Sequence, residues 1–406
     1  MNILYIDHYA GSINMGMEFR PYYLANEWKK SGHRVRIVGA SFSHLRTNNP
    51  NVTRDFEVQE IEGVEYQWIK TVEYHGNGIR RALTMFEFCF KLWINASSLI
   101  EEFKPNVVVT SSTYPLDTYP AQRIAKLAKA KLIHENHDLW PLTLETIGGM
   151  SKYHLFCLVM KLGLHSAIKN SEHIVCVLPY AYEYFKEYGL TNLDNFTHIP
   201  NGIVQSDWQQ VEDLPEEHER LFQQLKEKFI VGYTGGHAIS NALDTLIDCA
   251  SQINDDRIAF VLVGKGMEKE RLIAKSNSFG CKNIYFLPPV SKSQVPNIIN
   301  HMDVVYVGGQ KSLLLKYGAS LNKLYDYMMS AKPIIYGVAS KNKEVLDADC
   351  GWVIEPEDVS TLKKYILEIS NIDSKLLRQK GMNGRKWVLA NCDYQVLAEK
   401  FLKIFK

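Results

Sequence analysis

Cysteine pairs, complete nucleotide-loop glycine motifs, long apolar runs and net charge are all missing from this chain, and each absence removes a class of protein. The seven cysteines, at 89, 157, 176, 249, 281, 350 and 392, are scattered, odd in number and never form a CxxC pair. Neither a zinc site nor a disulfide framework is supported, and a reducing cytoplasm fits best. No Walker A sequence and no full GxGxxG occurs, so a P-loop NTPase and an NAD enzyme both lose support. No apolar run reaches the length of a membrane span. Met1–Asp7 reads as a short apolar strand without a basic segment before it, unlike a signal peptide. The 46 Lys and Arg balance 45 Asp and Glu to a net charge of +1, so nothing global favours a nucleic-acid partner.

What is present is ordinary globular material in quantity. A chain of 406 residues, 46% hydrophobic and 22% charged, is long enough for two cores. Short apolar runs alternate with helical patterns. Asn2–Ile6, Val35–Gly39, Val107–Thr110, Lys131–Glu135 and His173–Val177 read as strands, and Phe19–Lys30 as a helix. The runs Val107–Val109 and Ile174–Val177 lack polar alternation, as parallel strands buried on both faces do. The pattern restarts with Phe229–Tyr233, Ala259–Val263, Asn283–Leu287, Val304–Val307 and Pro333–Gly337. This predicts an α/β protein of two Rossmann-like, doubly wound domains facing across a cleft, over 1–200 and 229–387. The charged stretch Asp213–Lys228 falls in an expected linker over 201–228. A C-terminal amphipathic helix within 388–406 either stays with the second domain or crosses back to brace the first.

The richest segment is 317–333. A glycine-containing loop enters a helix through Ser320, a candidate N-cap. Lys323 and Asp326 then share one helix face. Free amides and the helix dipole favour an anion there, beside a lysine and with an acid one turn on. That set suits a phosphate and a ribose, hence a nucleotide-linked substrate; the plainer alternative is a solvated helix face. Gly264-Lys265-Gly266 and Gly235-Gly236-His237 each follow a strand and precede a helix, as ligand loops or simple tight turns do. Arg20, after the Gly11–Gly16 loop, either meets a phosphate or is a solvated first-turn residue. His134–Pro141 is dense in titratable groups where a buried strand ends, the usual place for chemistry in such folds. Its spacing is not HExxH, so no metal is assigned. Gly78–Ile94, with Arg80, Arg81 and Lys91, and Tyr153–Leu164 are either core helices or contacts with an anionic membrane surface.

Taken together, Gly16-Met17-Glu18-Phe19-Arg20-Pro21, Glu135–Pro141, Pro200-Asn201-Gly202, Tyr233-Thr234-Gly235, Val263–Gly266 and Ser320–Pro333 resemble a glycosyltransferase of the GT-B fold, family 4. The resemblance spans nearly the whole chain. It is nearest to bacterial enzymes that add amino-deoxy sugars to lipid-linked saccharides, such as N-acetylfucosamine transferases. It implies a retaining, metal-independent transfer from a UDP-sugar to a polyprenyl diphosphate-linked saccharide, in O-antigen or capsule synthesis. The protein would then lie on the cytoplasmic face of the inner membrane and need no cofactor. The diphosphate would lie on Gly235, Gly236 and the amides of Ser320, Leu321 and Asn322, with Lys323 offsetting its charge. Asp326 would hold the ribose, and Val290 would line the base pocket. Gly16, Arg20, His237 and Lys265 complete the implied donor set. His137 or Asp138 would contact the transferred sugar as the catalytic pair.

Two departures from the family pattern matter. Gly318 stands where an acidic residue is common, eight positions before the ribose acid. Gly236 and Asn241 stand where an arginine and a lysine are common. Phosphate charge is therefore left to Lys323, with Lys265 or Arg20 as helpers. A UDP-N-acetylglucosamine 2-epimerase and a non-catalytic sugar-nucleotide-binding protein are the competing readings.

Overall fold

The computed structural model describes all residues except Glu18, Asn77 and Gln210, so the Glu18 of the first motif lies outside the described residues. The chain forms two compact units. The first comprises Met1–Asn201, Tyr317–Ser320 and Tyr394–Lys406, and the second Gly202–Lys316 and Leu321–Asp393.

The first unit is built on β1 (Asn2–Ile6), β2 (Arg34–Ala40), β3 (Glu57–Ile61), β4 (Val64–Ile69), β5 (Val107–Thr110), β6 (Lys131–Asn136), β7 (His173–Cys176) and β8 (Phe196–His198). Their order in the sheet is β3-β4-β2-β1-β5-β6-β7-β8. All pairs are parallel except the edge hairpin of β3 with β4. Glu62 and Gly63 turn that hairpin with φ of 50° and 78°, the positive pair a type I′ turn needs. The central strands are buried on both faces, with Ile3, Leu4, Val108, Val109 and Ile133 removed from solvent. Helix Tyr394–Phe405 packs on helix Phe19–Lys30. Trp28 donates its indole N–H to the Ala398 carbonyl at 3.2 Å and its ring meets Phe401 and Phe405. The terminal helix thus braces the first unit.

The second unit has β9 (Phe229–Thr234), β10 (Ile258–Val263), β11 (Ile284–Leu287), β12 (Val304–Gly308), β13 (Ile334–Gly337) and β14 (Gly351–Val353). They form a parallel sheet in the order β11-β10-β9-β12-β13-β14. The expected linker is not a connector. Leu214, Phe222 and Leu225 are buried in one core with Ile230 and Ile299. Helix Glu216–Gln224 carries Glu216, Glu217 and Glu219 in its first turn, where the helix dipole favours acids. Those charges hide the few apolar residues that tie the segment to the second unit.

Helix Ile79–Ile94 buries Thr84, Met85, Phe88 and Leu92. Its opposite side leaves Ile79, Leu83, Phe90 and Ile94 in solvent. Helix Leu155–Asn170 likewise exposes Leu155 and Leu162. Both helices serve the core on one side only. Among the described residues no helix is long and apolar enough to cross a membrane.

Candidate active site

In the second unit, β9 delivers the chain to Gly235, whose φ is +140°. A Cβ there would lie 3.3 Å from Tyr233 Oη and 3.7 Å from Lys323 Cε. Gly264, after β10, has φ +150°, and a Cβ on it would strike the Gly235 carbonyl at 1.9 Å. Glycine at both positions lets two strand-end loops touch beside a lysine. That lysine, Lys323, sits in the first turn of helix Asn322–Met329. Its Nζ donates to Tyr233 Oη at 2.9 Å and to Asn241 Oδ1 at 2.5 Å, and lies 4.7 Å from the Tyr233 ring centroid. All its partners are neutral; among the described residues no carboxylate pairs with it. Burial lowers its pKa from 10.5 to about 8.

Asp326 follows one turn later on the same helix. Its carboxyl accepts no hydrogen bond among the described residues. Burial raises its pKa to about 7, with Lys292 pulling down and Asp207 pushing up. Lys292 and Asp207 are 2.9 Å apart and largely answer each other. The amides of Asn322 and Lys323 point out of the helix start without an intrahelical partner. The structure corrects the cap: Leu321 is the N-cap, and no side chain caps the helix. Ser320 belongs to the first unit, where its Oγ accepts from the Asn201 N–H at 2.8 Å. A serine at a loop end bonds whichever amide the chain brings nearest, and here it is not the helix's own.

The other expected donor residues scatter. Gly236 is exposed, and its carbonyl accepts from Tyr233 Oη at 2.8 Å and from Asn241 Nδ2 at 2.8 Å. Asn322 and Lys265 are exposed, and Leu321 and Val290 are half-buried against the core. His237 is fully buried, with its ring between Tyr233 and Phe286. Its amide is committed to the Lys265 carbonyl at 2.9 Å. Burial first, then Lys269 and Lys323, lower its pKa to about 4, so it is neutral packing beside the lysine. A histidine after two glycines reads as a loop side chain; the strand-end turn folds it inward instead.

In the first unit, the end of β6 presents Glu135, Asn136 and His137. Glu135 is fully buried, and its Oε1 accepts from Arg20 Nε at 2.9 Å and Nη2 at 2.7 Å. Arg20 also donates to the Ile199 carbonyl at 2.9 Å and the Pro200 carbonyl at 2.5 Å. This corrects both readings of Arg20: it is neither solvated nor open to a phosphate, because its guanidinium is spent on Glu135 and two carbonyls. The other oxygen of Glu135 is approached by Tyr5 Oη, by Ser111 Oγ at 2.6 Å and by His137 Nε2 at 3.4 Å. Burial alone would raise Glu135, but Arg20 and then His137 hold it well below the usual carboxylate range. For His137 burial pushes down, while Glu135 outweighs it and raises the imidazole above its ordinary value. Ser111 Oγ lies 2.6 Å from His137 Nε2. Asp138 is exposed next to it. Gly16 has φ +86° and Thr47 Oγ1 would be 2.7 Å from a Cβ there, so its glycine is explained by its own loop.

Sequence reasoning missed Tyr5, Ser111, Tyr233 and Asn241. Tyr5 and Tyr233 read as strand core. Ser111 follows β5 in a run of small polar residues without any spacing signal. Asn241 stands out in the sequence only as a missing cation, although with Tyr233 it holds Lys323.

Comparison with known proteins follows the same division. Residues 15–206 match the family described as Glycosyltransferase Family 4. Residues 216–387 match that described as Glycosyl transferases group 1. Among solved structures, sucrose-phosphate synthase from Thermosynechococcus elongatus is similar over 100% of this chain and 98% of that one, with TM-score 0.71 and 16% identity. The Anabaena protein HepE, solved in complex with UDP and glucose, is similar over 99% and 98%, with TM-score 0.67 and 14% identity. WaaG, a glycosyltransferase involved in lipopolysaccharide biosynthesis, is similar over 100% and 99%, with TM-score 0.65 and 14% identity. No curated protein sequence matches the chain. The chain belongs, through both halves, to the family 4-type glycosyltransferases, and its fold is GT-B.

Proposed function

We propose that this family 4-type glycosyltransferase moves a sugar, an N-acetylated amino or deoxyamino hexose, from UDP to a lipid-linked saccharide during surface-polysaccharide synthesis. One observation carries the donor half. Lys323 and Asp326 are desolvated groups of opposite charge, one turn apart, and among the described residues neither forms an ion pair. A diphosphate answers the lysine and the open amides of Asn322 and Lys323. Ribose hydroxyls answer the carboxylate. As the sugar–phosphate bond breaks, charge builds on the diphosphate, and a fixed ammonium with preset amides stabilises it. The acceptor hydroxyl enters on the face the phosphate leaves, with retention and without a metal, and His137 orients the sugar. HepE was solved in complex with UDP and glucose, which supports a UDP donor here by analogy of fold.

The acceptor half rests on the solvent-facing Ile79, Leu83 and Phe90 of one helix and Leu155 and Leu162 of another, exposed apolar side chains suited to a peripheral position on the cytoplasmic membrane. The test is incubation with a panel of UDP-sugars and polyprenyl diphosphate-linked saccharides, read by mass spectrometry of the products. A glycosylated lipid-linked product supports the reading. Interconversion of UDP-sugar epimers without acceptor, or binding without turnover across the panel, would overturn it.

A further inference from the structure

We propose that Ser111 is a positioning residue: its hydroxyl joins Glu135 to His137 and fixes the imidazole with a proton on Nε2, leaving Nδ1 as the nitrogen available to a ligand. The inference deepens the proposed transfer, but its first test does not depend on that reaction.

The assignment follows from counting protons. Glu135 is fully buried against Arg20 and ionised, so it only accepts. Ser111 Oγ and Glu135 Oε2 are 2.6 Å apart. The ionised carboxylate brings no proton of its own and is the strongest acceptor that the hydroxyl touches. The Ser111 hydroxyl hydrogen therefore points to Glu135. Tyr5 Oη, 2.8 Å from Ser111 Oγ, gives its own proton to the same carboxylate oxygen, and the Ser111 oxygen turns a lone pair to His137 Nε2 at 2.6 Å. A lone pair toward Nε2 requires N–H there, in the neutral and the charged ring alike. The direct approach of Nε2 to Glu135 is longer, at 3.4 Å, so the hydroxyl is the tighter link. The Nδ1 atom makes no hydrogen bond among the described residues. Glu135, Arg20, Asp7, His134 and Asp138 are the charged and titratable groups that act on this ring. Arg20 Nε and Nη2 both bond Oε1, so Oε2 is left to Tyr5, Ser111 and His137.

Histidine-labelled full-length protein, observed by nitrogen-correlated NMR with His137→Gln for assignment, reads the tautomer directly. The wild type should show Nε2–H across the neutral range. Ser111→Ala should mix the tautomers, and Ser111→Thr, which keeps the hydroxyl, should restore the single form. Tyr5→Phe removes a donor to the carboxylate but leaves the link, so the tautomer should hold. In transfer assays Ser111→Ala should lower kcat about a hundredfold with KM nearly unchanged, the size expected from a misplaced group. A wild-type Nδ1–H ring, or the same spectrum in wild type and Ser111→Ala, would overturn the relay. A wild type with the predicted tautomer but no transfer would refute the proposed reaction and uphold the relay.

Discussion

The two units bury charge in opposite ways. In the first, Glu135 meets Arg20, Tyr5, Ser111 and His137, and every oxygen has donors. In the second, Lys323 has only a phenol and an amide for company, and Asp326 accepts nothing among the described residues. Burying an ion without an opposite charge is costly, and a buried pair offsets part of that cost by mutual attraction. The paired cluster is a rigid frame that holds a histidine. In the proposed reading, the unpaired one is an incomplete set whose missing members are the charges and hydroxyls of a ligand. Charge that is satisfied within the fold reads as architecture, and charge left unsatisfied reads as a binding site.

The sharpest way to break this contrast is to remove one cation from each unit. Arg20→Ala strands a fully buried carboxylate and should cost about 3–5 kcal/mol of stability. Lys323→Ala removes a desolvated ammonium that no carboxylate needs, and the fold should lose nothing or gain slightly. Urea unfolding of both variants, followed by fluorescence, compares them. Similar losses would mean that Lys323 is as structural as Arg20. In the same Lys323→Ala protein, calorimetry should find UDP affinity weaker by about 3 kcal/mol, since a charged group would lose its partner.

Much of this was legible in the sequence, but unevenly. The strands that carry the site, β1, β5, β6, β9 and β10, are apolar runs and can be read directly. The edge pieces β3, β8 and β14 are short and half-exposed, so neither alternation nor hydrophobicity marks them. Lys323 and Asp326 could be paired because one helix turn connects them. Arg20 and Glu135 could not: they are 115 positions apart, and only the parallel sheet brings their elements together. Ser320 misled because the N-cap signal is local, while its actual partner, Asn201, is distant in the chain. Local chemistry on one element is readable; pairing across elements waits for topology.

Asp326→Asn makes a smaller and more selective cut. It keeps the shape, but it turns one acceptor oxygen into a donor and removes the charge that ribose hydroxyls would donate to. UDP affinity should fall by about 2 kcal/mol, in the range for hydrogen bonds to charged groups. Affinity for a sugar phosphate without ribose should stay where it is. Calorimetry with both ligands decides: equal losses would move Asp326 out of the ribose role and leave the contrast resting on Lys323 alone.

The finest test uses pH, because the two groups titrate toward each other. Asp326 is raised to about 7 and Lys323 lowered to about 8, both by burial. A carboxyl whose folded pKa is raised weakens the fold as pH climbs from its unfolded range to about 7, because the folded state holds the extra proton. A lysine whose folded pKa is lowered strengthens the fold from about 8 upward, because the unfolded state then holds the extra proton. Between about 7 and 8 both are charged in the folded state, and their joint contribution to the empty protein is at its lowest. A diphosphate and a ribose want that same doubly charged state. UDP affinity should therefore peak in the window where the pair most burdens the empty fold. Subtracting the Lys323→Ala, Asp326→Asn double variant removes the titrations elsewhere, His137 included. The difference curves for unfolding and for UDP binding should mirror each other, with opposite signs. Two curves that rise and fall together would mean that these charges answer each other after all, and the second unit would bury its ions in the same manner as the first.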